Sequence, residues 1–482
     1  MSLASKRCHE STRWGILPVL ALALSVAGCA VVGSDQAKLK RDRDRDGEGK
    51  RIGSGVSFLE QTLVEAAPAP AAAPGWDVER VASGQDDWEP AVAVDPANAN
   101  YVYQAITRYT GPKACGNCRL PAIIIRRSTD GGATWMPDQF LAATNKGQYD
   151  PQIEVAALTG HVYAVWLDAF TPGSTFTKST NRGATWSTGK SFAGKGKKPS
   201  WNDKPWLVIS GDGQHVYLGF NSSDSYVVSS HDGGITFSTP VKTNSDNRYW
   251  FHSGGAVSPT NGNVAYFACS TFGSGNTYAG DATIEVLKTT NGGVSWTTTR
   301  VDTSREVPPC GWAAGCSTGF LGSSAAMAID SAGKLMIAYN ANDTPGAPEQ
   351  MYLRTSTDGV AWSPRQRISV VSTSVHNAFP AVATRPGVAG DFRVTWQDDR
   401  IQSQTGWNTW YRRTTNGGTS WSADIRLSDR TDGAPYKSAN GYQFPYGDYH
   451  ELAVAPDGWN HVIWGAGTSY TGPGGVWYTR GQ

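Results

Sequence analysis

Seven short apolar runs recur along the chain, each four to six residues long. They are Pro90-Ala91-Val92-Ala93-Val94-Asp95, Pro151-Gln152-Ile153-Glu154-Val155, Pro205-Trp206-Leu207-Val208-Ile209, Gly255-Ala256-Val257-Ser258, Ala326-Met327-Ala328-Ile329-Asp330, Pro380-Ala381-Val382-Ala383-Thr384 and Leu452-Ala453-Val454-Ala455. A tight turn follows each run, then a second strand that ends in aromatics. Runs this short, bounded by turn formers, read as strands, and no long helical period appears after residue 76.

Six near-copies of a hairpin turn interleave with these runs. They span Ser128 to Trp135, Ser179 to Trp186, Ser230 to Phe237, Thr289 to Trp296, Ser356 to Trp362 (one residue shorter) and Thr414 to Trp421, and read in outline Ser/Thr-x-Asp/Asn-x-Gly-x-Thr/Ser-aromatic. The Asp or Asn can bond the amides of its own turn, the Gly takes φ > 0 without a steric cost, and the aromatic is left to pack between sheets. Their third residues lie 51, 51, 59, 67 and 58 residues apart, enough for one small antiparallel sheet per repeat. Seven inner strands against six turns predict an all-β, seven-bladed β-propeller of four-stranded antiparallel blades. The last unit runs out after a third strand near Val476 to Arg480. The segment Trp76-Asp77-Val78-Glu79-Arg80-Val81 resembles the fourth strands elsewhere, so an N-terminal strand is expected to complete the last blade and close the ring.

The turn motif matches the Asp-box, or BNR repeat, and the chain over residues 76 to 482 resembles the sialidase superfamily of β-propellers. That resemblance implies boxes on the turn between the third and fourth strands of each blade, on the rim away from the active site. It also implies an exported glycan-processing protein, hydrolysing an acidic sugar with three arginines on its carboxylate, a Tyr nucleophile activated by a Glu, and an Asp as acid/base. Guanidinium forks suit a carboxylate, and a phenol of pKa ~10 needs a neighbouring base to attack. On this sequence the candidates are Arg108, Arg248 and Arg400 for the carboxylate, Tyr449 or Tyr446 as nucleophile, Glu89 as its base and Asp150 as acid/base. Sialidases themselves have six blades, and their Arg-Ile-Pro signature is replaced here by Trp88-Glu89-Pro90. The first arginine therefore has no motif-matched counterpart.

Loops entering the inner strands converge on the central channel, so chemistry is expected at their mouths. The seven mouths carry Glu89, Asp150, Lys204, His252, Ser324, Phe379 and Tyr449, preceded by Trp88, Tyr149, Asp203, Phe251, Ser323, Ala378 and Asp448. Arg248-Tyr249-Trp250 leads into the fourth. The mouth reads as a polar cleft with aromatic walls, Lys204, Tyr249 and Trp250 joining the arginines as substrate-binding candidates. A uronate-polymer lyase is an alternative, with Arg248 neutralising the acid and His252, Tyr249 or Tyr449 taking the proton. The structural readings are that Tyr249 and Trp250 cap a blade and that His252 is a hydrogen-bonded channel histidine. A third alternative is a non-catalytic disc that holds glycan or protein by stacking on Trp201, Trp250, Tyr442, Phe444 and Tyr446. No cofactor is expected. Glu89, Asp150, Asp203 and Asp448 could hold Ca²⁺ through oxygen, although no spacing resembles a calcium loop.

The N-terminus changes the cellular picture. Lys6, Arg7 and Arg13 precede an apolar stretch from Ile16 to Val26 and then Ala27-Gly28-Cys29, a short secretory core ending in a segment that resembles the bacterial lipobox. The expectation is a signal peptide over residues 1–28, lipidation of Cys29, and a charged, Pro/Ala-rich tether over 29–75. Ala30 after the cysteine favours outer-membrane or cell-surface placement, with plain secretion the alternative and the lipid anchor the one membrane contact. Export permits disulfides Cys115–Cys118 and Cys310–Cys316, leaving Cys269 over. A formal net charge of +1, with aromatics at repeat positions and no basic stripe, sets nucleic acid aside. The expected partner is carbohydrate, and the protein is expected to be a monomer.

Overall fold

The computed structural model describes residues 72–83, 87–169, 173–194, 202–222, 224–274, 280–306, 323–402, 406–429, 450–467 and 474–482. The signal segment, Cys29, Trp201, Cys310, Cys316, Tyr442, Phe444, Tyr446, Asp448 and Tyr449 lie outside the described residues. Seven four-stranded antiparallel sheets form the seven blades of a β-propeller, and no helix occurs among the described residues. Blades 1 to 6 occupy residues 88–140, 148–192, 203–242, 248–304, 325–367 and 377–426, each running from an inner strand outward. Blade 7 takes its three inner strands from residues 450–481 and its fourth from Arg80–Ser83, near the other end of the chain.

This closure is held by more than the ladder in which Arg80 pairs with Tyr478 and Val81 with Trp477. Trp76 bridges Gly481, the Asp77 amide donates to the Arg480 carbonyl at 2.8 Å, and Arg480 Nε meets the Asp77 carboxylate at 2.7 Å. Each blade boundary holds one apolar cluster, seven in all. Strand alternation divides the side chains: Ala91 and Ala93 of blade 1 pack toward blade 2, Val92 and Val94 toward blade 7.

The six motif aromatics each cover the cluster on the boundary behind them: Trp135, Trp186, Phe237, Trp296, Trp362 and Trp421. The boundary between blades 6 and 7 has no such turn. There Trp76 fills the place, edge-on to Tyr411 with ring centroids 5.0 Å apart. The turns themselves join the third and fourth strands and repeat one bonding pattern. Ser128 Oγ donates to Asp130 at 2.7 Å and accepts from the Gly132 amide at 2.8 Å, while Asp130 accepts from the Thr134 amide at 2.9 Å. Gly132 has φ of 78° and abuts the Tyr478 hydroxyl, where a Cβ would stand 2.3 Å away.

Cys115 and Cys118 are disulfide-bonded across the loop between the second and third strands of blade 1, and Cys269 is a buried free thiol.

Candidate functional site: the central channel

The inner strands enclose a cavity of about 610 Å³. Its mouth is lined by Lys204, Phe251, Phe272, Ser324, Phe379 and His450, its middle by Gln152, Glu154 and Glu451, and its far end by Pro96, Pro259 and Arg385. The mouth has a recurring backbone device. Glu89, Asp150, Lys204 and Phe379 all adopt positive φ, between 47° and 53°, although each precedes a proline. Each sits where the pairing register slips by one residue, between Trp88 and Ala91, Tyr149 and Gln152, Asp203 and Trp206, and Ala378 and Ala381. A left-handed residue before proline is disfavoured, and a bulge that imposes it re-aims the side chain. Four-fold recurrence ties the device to the repeat itself.

The mouth side chains differ in what they meet. The Glu89 carboxylate is buried and accepts from Thr107 Oγ1 and from the Asp150 amide, both at 2.9 Å, which laces blade 1 to blade 2. Asp150 is itself buried. Lys204 lines the cavity with Nζ 5.7 Å from the Phe251 ring centroid. His252 turns toward blade 3, where Nε2 lies 3.1 Å from Ser225 Oγ and the ring packs on Gly219. Burial holds its pKa down to about 3, so it is a neutral and weakly basic imidazole. Tyr249 is buried and donates to Asp203 at 3.1 Å. Trp250, buried between blades 3 and 4, donates Nε1 to Asp246 at 2.8 Å. Neither Tyr249 nor Trp250 lines the cavity.

The three arginines sit on blades 1, 4 and 6, and none lines the cavity. Arg108 meets Asp138 at 2.7 Å and Asp87 at 3.3 Å. Arg248 donates to Thr271 Oγ1 and to the Asp281 carbonyl, both at 2.7 Å. Arg400 is paired with Asp398 at 2.6 Å and with Asp424, and its guanidinium stacks 3.7 Å over the Trp410 ring. The Arg248 and Arg400 forks are thus engaged inside their own blades, and that of Arg108 also reaches Ser83 of the blade 7 fourth strand. Among the described residues no group of three or more His, Cys, Asp or Glu side chains is arranged to hold a metal ion.

The acid/base groups of the lumen lie deeper than the mouth. Glu451, the second residue of the blade 7 inner strand, accepts from the Val92 amide at 2.8 Å on the edge of blade 1. Burial pushes its carboxyl up to about 8; the Val92 amide pulls it back, and the charge of Glu154 pushes it further up. Burial raises Glu154 to about 7. His450, at the mouth, is buried, and neither ring nitrogen has a hydrogen-bond partner among the described residues. Burial lowers its pKa to about 3. The sequence signal for the pair is a break in pattern. Glu154 stands where other inner strands carry Ala93, Val208, Ala328 and Ala383, and Glu451 where they carry Ala91, Trp206, Ala326 and Ala381, with Gln152 in blade 2.

No protein-family model matches the sequence, and no curated protein does. Solved structures do resemble it in three dimensions. A protein of unknown function from Dyadobacter fermentans superposes with a TM-score of 0.47 at 13% identity, over 86% of this chain and 99% of that one. The NanB sialidase of Streptococcus pneumoniae gives 0.44 at 11% identity, over 89% and 72%. An α-L-arabinofuranosidase from Fusarium graminearum gives 0.42 at 12% identity, over 86% and 98%. The chemistry of this chain therefore rests on its own residues.

Proposed function

We propose that the protein is a glycan-processing propeller that hydrolyses a glycosidic bond in its central channel, with Glu451 as proton donor and Glu154 as its partner carboxylate. The observation that carries this reading is that Glu154 and Glu451 line the same cavity, where burial raises both carboxyls toward the neutral range. Two acids that share an enclosed site cannot both ionise freely, so near neutral pH one holds a proton while the other is an anion. That is the protonation state a glycosidase needs. Glu451 would protonate the leaving oxygen, and the Glu154 anion would attack the anomeric carbon or activate a water against it. In the first case a water, deprotonated by Glu451, then cleaves the glycosyl ester; either way one water is consumed and the products are an alcohol and a free sugar. Lys204 and the phenylalanines of the mouth supply a cation and apolar faces for a sugar with a negatively charged substituent.

The test is release of the chromophore from a panel of aryl glycosides, neutral and acidic, by the full chain. Glu451→Gln and Glu154→Gln are expected to lose roughly 10²- to 10⁴-fold in turnover with the fold intact. Lys204→Met is expected to raise KM for acidic substrates more than for neutral ones. Turnover that survives both glutamate substitutions refutes the assignment. A non-catalytic glycan-binding disc is the second reading. It is favoured by the engagement of Glu89 and all three arginines within the scaffold, and glycan binding without turnover would establish it.

A further inference from the structure

The rim where the inner strands end, opposite the mouth, carries a second arrangement of ligating groups. His215 lies in the turn between the inner and second strands of blade 3, and His231 lies in the motif turn of the same blade. Their Nδ1 atoms stand 2.9 Å apart, with the rings edge to face at 5.0 Å between centroids. His231 is exposed and His215 partly so.

The tautomers follow from the bonding. His231 Nε2 lies 2.9 Å from the Gly292 carbonyl, which can only accept, so Nε2 carries the proton and Nδ1 presents a lone pair. A ring whose far nitrogen is fixed by a carbonyl is the arrangement that orients metal-bound histidines. Both imidazoles are seated on glycines of blade 4. A Cβ on Gly262 would stand 2.2 Å from His215 Cδ2, and one on Gly292 would stand 2.8 Å from His231 Cε1. The turns beneath are tied together: the Gly233 amide donates to the Gln214 carbonyl at 2.9 Å, and Tyr217, next but one to His215, donates to the Gly262 carbonyl at 2.6 Å. The pair is held before any ligand arrives.

We propose that His215 and His231 chelate a divalent late first-row cation, copper(II) or nickel(II), through their two Nδ1 atoms. Two imidazole nitrogens about 2.0 to 2.1 Å from a shared ion are about 2.9 Å apart at a right angle and about 3.4 Å apart at the tetrahedral angle. The observed 2.9 Å matches the right-angled, tetragonal bite that copper(II) and nickel(II) favour. Water fills the remaining positions. The one proton shared between the Nδ1 atoms moves to His215 Nε2 as the ion enters, so both rings bind as neutral imidazoles. Asp212, whose carboxylate is oriented by Ser210 and the Gln214 amide, adds a negative charge near His215.

The experiment is calorimetric titration of the metal-stripped full chain with Cu²⁺ and with Ni²⁺, plus electron paramagnetic resonance of the Cu²⁺ form. One equivalent is expected to bind with hyperfine structure from two nitrogens, and His215→Gln and His231→Gln are each expected to weaken it by more than about tenfold. His161→Gln should leave this equivalent unchanged. His231→Gln also removes the tie to Gly292; if that variant misfolds, His215→Gln decides the matter. No binding at micromolar metal, or binding that both glutamine variants retain, overturns the proposal and leaves the pair a hydrogen-bonded clasp.

Discussion

Ring closure makes a demanding prediction at Trp76. The indole is 7% exposed and lies in the cluster between blades 6 and 7 with Phe379, Trp407, Tyr411 and Trp464. It stacks so closely on Gly481 that a Cβ there would come within 2.5 Å of the ring. Truncating a buried tryptophan costs about 3 to 5 kcal/mol, a figure that includes roughly 0.5 to 1.5 kcal/mol for an edge-to-face contact such as that with Tyr411. Trp76 Nε1 has no hydrogen-bond partner among the described residues, so its removal returns part of a desolvation penalty of about 1 to 3 kcal/mol. Trp76→Ala is therefore expected to lose about 3 kcal/mol in urea unfolding followed by circular dichroism, at the low end of the range. Limited proteolysis should at the same time cut the Arg80–Ser83 strand away faster, because its anchor is gone. Trp135→Ala, at a motif turn and only partly buried, should cost less. If Trp76→Ala unfolds within about 0.5 kcal/mol of the parent, the ring is not closed by this segment and the reasoning fails.

Other perturbations address single boundaries. Gly219→Ala would place a Cβ 2.6 Å from His252 Cδ2 and should cost about 1 to 3 kcal/mol by overpacking; adding His252→Ala should recover part of that loss if the wedge is real. Arg393 is fully buried and joins Asp391 to the Gly458 carbonyl and Asn460 across blades 6 and 7, so Arg393→Met should cost about 3 kcal/mol or more in the same unfolding assay. Burial holds His252, His450 and His461 near 3, below the ordinary 6.5. The histidines thus contribute stability that is full above pH 6.5 and is lost toward pH 3, while the raised Glu154 and Glu451 carboxyls contribute the opposite slope between about pH 4.5 and 8, so the histidine part is read as the difference between the parent and His461→Gln. Urea midpoints across that window check this, with a shallower slope expected in His461→Gln.

The blade architecture was legible because each repeat announces itself twice, once as an apolar run and once as a turn with fixed chemistry. Even the missing seventh motif turn could be read as a request for a substitute, which Trp76 supplies. Side-chain commitments were harder to see. Arg400 and Asp398 lie two apart on one strand and so share a face, a pairing that strand period alone could have suggested. The bonds of Arg108 to Asp138 and of Glu89 to the Asp150 amide cross strands or blades, and become visible only when the sheets are stacked. Glu154 and Glu451 were hidden by the apolar reading of the inner strands, which treats a lone Glu as an interruption. A propeller's innermost edge faces a lumen, and there a carboxyl can accept from an otherwise unpaired strand amide, as Glu451 does from Val92. His215 and His231 are sixteen residues apart in sequence and meet because hairpin and motif turns share one rim.

The most direct test of the central claim is the pH dependence of kcat/KM for the best aryl glycoside, measured between pH 5 and 10. With Glu154 as the anion near 7 and Glu451 as the acid near 8, the expected profile is a narrow bell centred between those values, whose alkaline limb disappears in Glu451→Gln along with most of the activity. A broad plateau extending past pH 9, or an unchanged bell in Glu451→Gln, would contradict the assignment and place the chemistry outside this carboxyl pair.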